Sequence, residues 1–73
     1  MSYSVRKALK SGALTEDKIN DAIERCQDGE FPGLCLHCGA EHDGVDPDGR
    51  NDMCDECGQK AVFGAEEIAL MVA

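Results

Sequence analysis

Apolar residues recur along the first third of the chain with the period of amphipathic helices. Val5, Ala8 and Leu9 stand at i, i+3 and i+4, and Ile19, Ala22, Ile23 and Cys26 stand at i, i+3, i+4 and i+7. The pattern predicts a short basic helix followed by a longer one over about residues 16–27. Thr15 is placed to cap the second helix, Glu16 and Asp17 suit the positive end of its dipole, and Gly29 suits a left-handed stop. The linking "SGALT" allows a helical hairpin. "FPG" at 31–33 reads as a boundary, because Pro32 has no backbone donor and Gly33 permits a turn.

From residue 35 the periodicity gives way to "CLHCGAEHDGVDPDGRNDMCDECG", in which two C-x-x-C-G repeats bracket an acidic, turn-rich segment. Pro47 presets φ in "DPDG" and Gly49 is free to take φ > 0, so a short β-hairpin is predicted between the two repeats. Ala61, Val62 and Phe63 then read as a strand. "AEEIALMV" follows with its acidic residues first and predicts a C-terminal helix, a short apolar strand being the alternative. Ile68, Leu70, Met71 and Val72 need cover, either from the 16–27 helix or from the same segment of a second copy in a homodimer.

Length changes the weight given to the cysteines. A chain of 73 residues with only Tyr3, Phe31 and Phe63 as aromatics and eight glycines can bury only a small core, so a staple is expected. Five cysteines are an odd number, which argues against a fully paired disulfide framework. The N-terminal "MSYSVRKALKSGALT" has no apolar run suited to a signal peptide, and no segment approaches a membrane span of about 18 apolar residues. The expected setting is therefore a reducing cytoplasm, where clustered cysteines hold metal or do redox chemistry.

Cys35, Cys38, Cys54 and Cys57 form a C-x2-C-x15-C-x2-C array within the spacing read as a zinc site. Each pair can present two thiolates from a tight loop, and Gly39 and Gly58 remove the steric cost of the left-handed residue that closes it. The same four sulfurs accept iron, singly or as an iron–sulfur cluster, and a thiol–disulfide switch is the remaining alternative. A thioredoxin-type role needs a βαβ context that this chain lacks. Four thiolates close a tetrahedral ion to water, so no catalytic residue is assigned and the protein is read as non-enzymatic.

Other candidates have plainer readings. Cys26 lies on the apolar stripe and reads as a core thiol. His37 and His42 flank the first pair and offer alternative ligands to a cysteine. Asp43, Asp46, Asp48 and Asp52 lack the order and closing Glu of a calcium loop and read as a solvated face.

Charge is uneven. Residues 1–33 carry five cationic and six anionic side chains, a balance of −1, whereas residues 34–73 carry two against nine, a balance of −7. Four thiolates around a divalent ion would add about −2. Such a surface repels phosphate backbones, and Arg6, Lys7 and Lys10 form the only basic stretch, so nucleic acid is disfavoured as a partner.

"CLHCGAEHDGVDPDGRNDMCDECGQKAVFGAEEI" resembles the small zinc-ribbon proteins encoded by bacteriophages and prophages, with their C-x-x-C-G-A-E, G-V-x-P-D-x-R, C-x-x-C-G and V-[aromatic]-G-A-E-E motifs. The resemblance covers about residues 34–70 and departs at Asp52, where an aromatic is usual, and at Gly49, where Ala is usual. It implies that Cys35, Cys38, Cys54 and Cys57 are the metal ligands, and it implies no catalytic residue. "AIERCQDGEFPGLCLHCG" is similar to the entry into the zinc finger of TraR/DksA-type regulators of bacterial RNA polymerase. Only Glu16, Asp17 and Asp21 could stand in for the paired acidic residues those proteins present on a helical tip.

The expectation is a small α+β zinc-stabilised domain: an N-terminal helical segment (1–33), then a four-cysteine zinc ribbon with a short β-hairpin and a C-terminal helix (34–73), folding as one cooperative unit around one Zn2+ ion. Its expected role is that of a protein-interaction module. A TraR/DksA-like regulator that binds RNA polymerase and a nucleic-acid-binding ribbon are the alternatives.

Overall fold

The computed structural model describes residues 3–72; residues 1–2 and 73, at the ends of the two sequence spans, lie outside the described residues. Helix α1 (Val5–Ser11) begins where the Ser4 side chain accepts from the Lys7 N–H, and it stops at Gly12 with φ 86°. Helix α2 (Glu16–Gln27) begins where Thr15 accepts from the Lys18 N–H, as its sequence predicts, and Gly29 takes φ 90° just beyond Asp28. Strands β1 (Pro32–Cys35), β2 (Glu41–Asp43), β3 (Asp52–Met53) and β4 (Lys60–Gly64) form one antiparallel sheet in the order β2-β1-β4-β3, and α3 (Ala65–Val72) ends the described chain. The fold class is α+β.

Two local expectations are corrected. The "FPG" boundary is the start of the central strand β1. Pro32 is tolerated there because it is the strand's first residue, and its position pairs only toward β2. The hairpin predicted between the cysteine pairs is absent. Instead each pair sits at the tip of its own hairpin, β1–β2 and β3–β4, so the strands flanking "DPDG" run along opposite edges of the sheet. The turn itself forms, with the Gly49 N–H donating to Asp46 O at 2.8 Å, but Gly49 does not use a positive φ.

The core has two parts. Val5, Ala8, Leu14, Ile19, Ala22, Leu34, Leu36, Phe63, Ala65 and Ile68 form an apolar cluster joining both halves of the sequence, with Ile23 and Cys26 half-buried against it. Helix α3 packs on both α1 and α2, which covers Ile68 completely and leaves Leu70, Met71, Val72 and Leu9 exposed. The second part is Cys35, Val45, Cys54, Ala61 and Val62, around the cysteine site.

The segment between the hairpins crosses the sheet at a pair of facing glycines, Gly33 and Gly64. A Cβ on Gly33 would lie 2.6 Å from Val45 Cγ2, and one on Gly64 would lie 2.5 Å from Pro47 O with Asp46 O closer still. Backbone bonds fix the crossing: Gly64 N–H donates to Gly49 O at 3.0 Å and Glu67 N–H donates to Pro47 O at 3.1 Å. The second of these satisfies a free donor in the first turn of α3. Arg50 Nε donates to the largely buried Glu67 carboxylate at 2.7 Å, locking the loop to the helix.

Candidate metal centre

The two hairpin tips are built alike. In the first, Cys35 N–H donates to Ala40 O and Gly39 N–H to Cys35 O; in the second, Cys54 N–H donates to Gln59 O and Gly58 N–H to Cys54 O. Gly39 and Gly58 hold φ of 81° and 73°, the left-handed closure that their sequence positions predict. These tight loops turn both thiols of each pair toward the other pair.

All four predicted ligands meet. The sulfurs of Cys35, Cys38, Cys54 and Cys57 lie within 4.8 Å of one another, with Cys35 to Cys57 at 3.7 Å and Cys38 to Cys54 at 3.6 Å. A tetrahedral thiolate site with metal–sulfur bonds of about 2.3 Å has edges of about 3.8 Å. The donor set and its spacing therefore fit one metal ion, and four sulfurs this close leave no room for a cluster of several irons. None of the five cysteines forms a disulfide. Neither His37 nor His42 joins the sulfur group, and Cys26 stands apart in the helical core, as its apolar register predicts.

Backbone dipoles prepare the sulfurs for negative charge. His37 and Cys38 N–H groups both donate to Cys35 Sγ at 3.4 Å. For Cys54, burial works to raise the thiol, but the Cys57 N–H, the His42 side chain and the Glu56 N–H outweigh it and draw the group down to about 6. Cys38 is pushed up to about 12, first by desolvation of its sulfur and then by the other three thiols, against one N–H from Ala40. Cys57 is also raised: the Gln59 N–H works against the shift, and desolvation with the Cys35 and Cys54 thiols carries it. One sulfur is thus drawn toward the thiolate, while two others are held toward the thiol.

Comparison with protein-family models, with curated proteins and with solved structures returns no match for this chain.

Several contacts that hold the site have no local signal in the sequence. Lys18 Nζ, on α2, donates to Gly39 O at 3.0 Å, and a Cβ on Gly39 would run into the carbonyl of Ala13. The first tip is thereby pressed against the α1–α2 link. Tyr3 stands edge-on to His37 with ring centroids 6.3 Å apart, and its hydroxyl donates to Gln59 Oε1 at 3.4 Å, touching both tips. Cys35 and Cys54 are fully buried, whereas Cys38 is exposed at the surface. Among the described residues, no helix is long and apolar enough to cross a membrane.

Proposed function

We propose that the chain is a non-enzymatic zinc protein in which one Zn2+, held by Cys35, Cys38, Cys54 and Cys57, ties the two hairpins together and supports a surface for a protein partner. The inter-pair sulfur spacing of 3.6–3.7 Å carries the reading, because it matches a tetrahedral thiolate edge. Such a shell leaves no coordination position for water or substrate, so the ion acts on folding rather than on a bond. Zinc is favoured over iron as a redox-silent ion suited to a closed four-sulfur site.

The partner surface we assign is the end of the helical layer. Leu9, Met71 and Val72, with Val5 and Ile19 beneath them, line a groove of about 460 Å³ between α1, α2 and α3, rimmed by Arg6, Glu16 and Asn20. The acidic sheet half favours a basic approach on the same partner. The motif pattern of residues 34–70 supports a phage or prophage origin, and the reducing bacterial cytoplasm suits free thiolates.

Metal analysis of the protein purified without added metal, followed by unfolding with and without chelator, tests the metal role. One zinc per chain with loss of cooperative unfolding on chelation is expected; a cooperative transition in metal-free Cys54→Ser protein refutes it. Affinity capture from nuclease-treated lysate, compared with a Met71→Glu variant, tests the surface. A partner lost with that variant supports the module, and RNA polymerase subunits retained by the variant favour the regulator instead.

A further inference from the structure

The two hairpin tips share one Cys-x-x-Cys-Gly frame, and a residue just beyond it differs in what it can offer the sulfurs. Seven positions after the first cysteine of each pair stand His42 (42 − 35) and Ala61 (61 − 54). Each tip supplies the same backbone donors to its own sulfurs: the N–H groups two and three residues after the first cysteine reach that cysteine's Sγ, and the second cysteine accepts from Ala40 or from Gln59. Beyond this shared set, the His42 side chain stands beside the Cys54 sulfur, whereas the hydrogen bonds of the Cys35 sulfur involve backbone N–H groups and the Cys57 thiol. Ala61, fully buried among the same groups, can offer Cys35 only a methyl.

The other end of that contact is equally specific. Nε2 of His42 is enclosed and has no hydrogen-bond partner, sulfur included, among the described residues. A buried ring N–H without an acceptor costs free energy, and a metal-bound thiolate keeps lone pairs available to receive it. N–H···S contacts are long and soft, and the neighbouring Cys54 sulfur becomes the acceptor that this atom lacks once it is charged.

We propose that His42 is a positioning residue of the metal centre: its Nε2–H donates to the metal-bound Sγ of Cys54 and anchors the second hairpin to the edge strand of the first. This rests on the metal reading above. The donor reaches across the site, from β2 to the cysteine of the opposite tip, so it links the two hairpins by a route that does not pass through the ion. It also withdraws electron density from a single sulfur, making the four thiolates of the centre inequivalent.

The test uses isotope-labelled, full-length protein loaded with spin-active cadmium. The expected spectrum shows His42 as the Nε2–H tautomer, with a slowly exchanging Hε2 that couples to cadmium through Cys54 Sγ. Zinc competition against a chromophoric chelator should show His42→Phe weakened by about 10-fold to 100-fold, and His42→Gln, which keeps a donor near the Nε2 position, within about 3-fold of the natural chain. Circular dichroism of each loaded variant separates loss of the donor from failure to fold. An Nδ1–H tautomer, absent coupling, or unchanged affinity of a folded His42→Phe overturns the proposal while leaving the metal site standing. A natural chain that takes up no cadmium overturns both.

Discussion

Gly64→Ala opposes two physical effects of opposite sign. Gly64 has no positive φ, so by backbone entropy alone the added methyl should stabilise the protein by about 0.4–1 kcal/mol through the unfolded chain. The fold argues otherwise. The new Cβ would meet the carbonyl of Pro47 at 2.5 Å and that of Asp46 closer still, and both obstacles are backbone that no rotamer change can move. Relief requires the 46–50 crossing to lift. That breaks the bonds from Gly64 N–H to Gly49 O and from Glu67 N–H to Pro47 O, at about 0.5–1.5 kcal/mol each. It also separates Arg50 from Glu67, which adds about 1 kcal/mol at most because the arginine is largely exposed. Holding the loop in place instead costs an overpacking strain of about 1–3 kcal/mol. Either route outweighs the entropic gain, so a net destabilisation of about 1–3 kcal/mol is expected. Gly44→Ala is the control: its φ of 75° carries a conformational cost of about 1 kcal/mol, but a Cβ there meets nothing within 4 Å. The assay is urea unfolding of the metal-loaded proteins at one fixed free zinc concentration, since bound ion adds to apparent stability. A Gly64→Ala protein as stable as the natural chain, or more so, refutes the close crossing of the sheet.

Three further outcomes follow from the same contacts. Arg50→Ala strips the partner from a Glu67 side chain only 11% exposed and should cost about 1 kcal/mol after solvent screening; a double cycle with Glu67→Gln isolates the pair, and zero coupling would contradict the contact. Ile68→Ala, at a fully buried position between three helices, should lower stability by about 2–5 kcal/mol, whereas Leu70→Ala on the exposed side should stay within about 0.5 kcal/mol; similar losses for both would mean that α3 is turned the other way. Zinc affinity should fall as pH falls, because protons compete for the ligands. Cys38 and Cys57, both raised, release protons on binding at neutral pH, and below about 6 Cys54 is protonated as well, so the decline steepens there. Competition titrations at several pH values check this, and a pH-independent affinity would contradict it.

What could be read from the sequence is what short-range chemistry controls. Helix α2 follows from a 3.6-residue apolar period with Thr15 at its start, and each Cys-Gly closure follows from three or four adjacent residues whose geometry only glycine accepts without strain. The cluster of four sulfurs that could hold a metal was legible for the same reason, since C-x-x-C fixes two sulfurs locally and the second pair repeats the device. The "DPDG" turn was legible as a turn, but not as to what it joins. Once each cysteine pair closes its own hairpin, β2 and β3 are committed to opposite sheet edges, and the turn becomes a crossing over Gly33 and Gly64. Pro32 looked like a boundary because a missing donor is costly within a paired strand, and only the sheet order shows that its position needs no donor. Lys18 on Gly39, His42 beside Cys54 and Arg50 on Glu67 join residues far apart in sequence, and none has a local signal: Lys18 and Arg50 are ordinary polar residues in their own windows, and His42 there offers only an alternative ligand. Such pairs are specified by how the hairpins, loop and helices pack against one another, and that packing leaves no periodicity or spacing in the chain to be read.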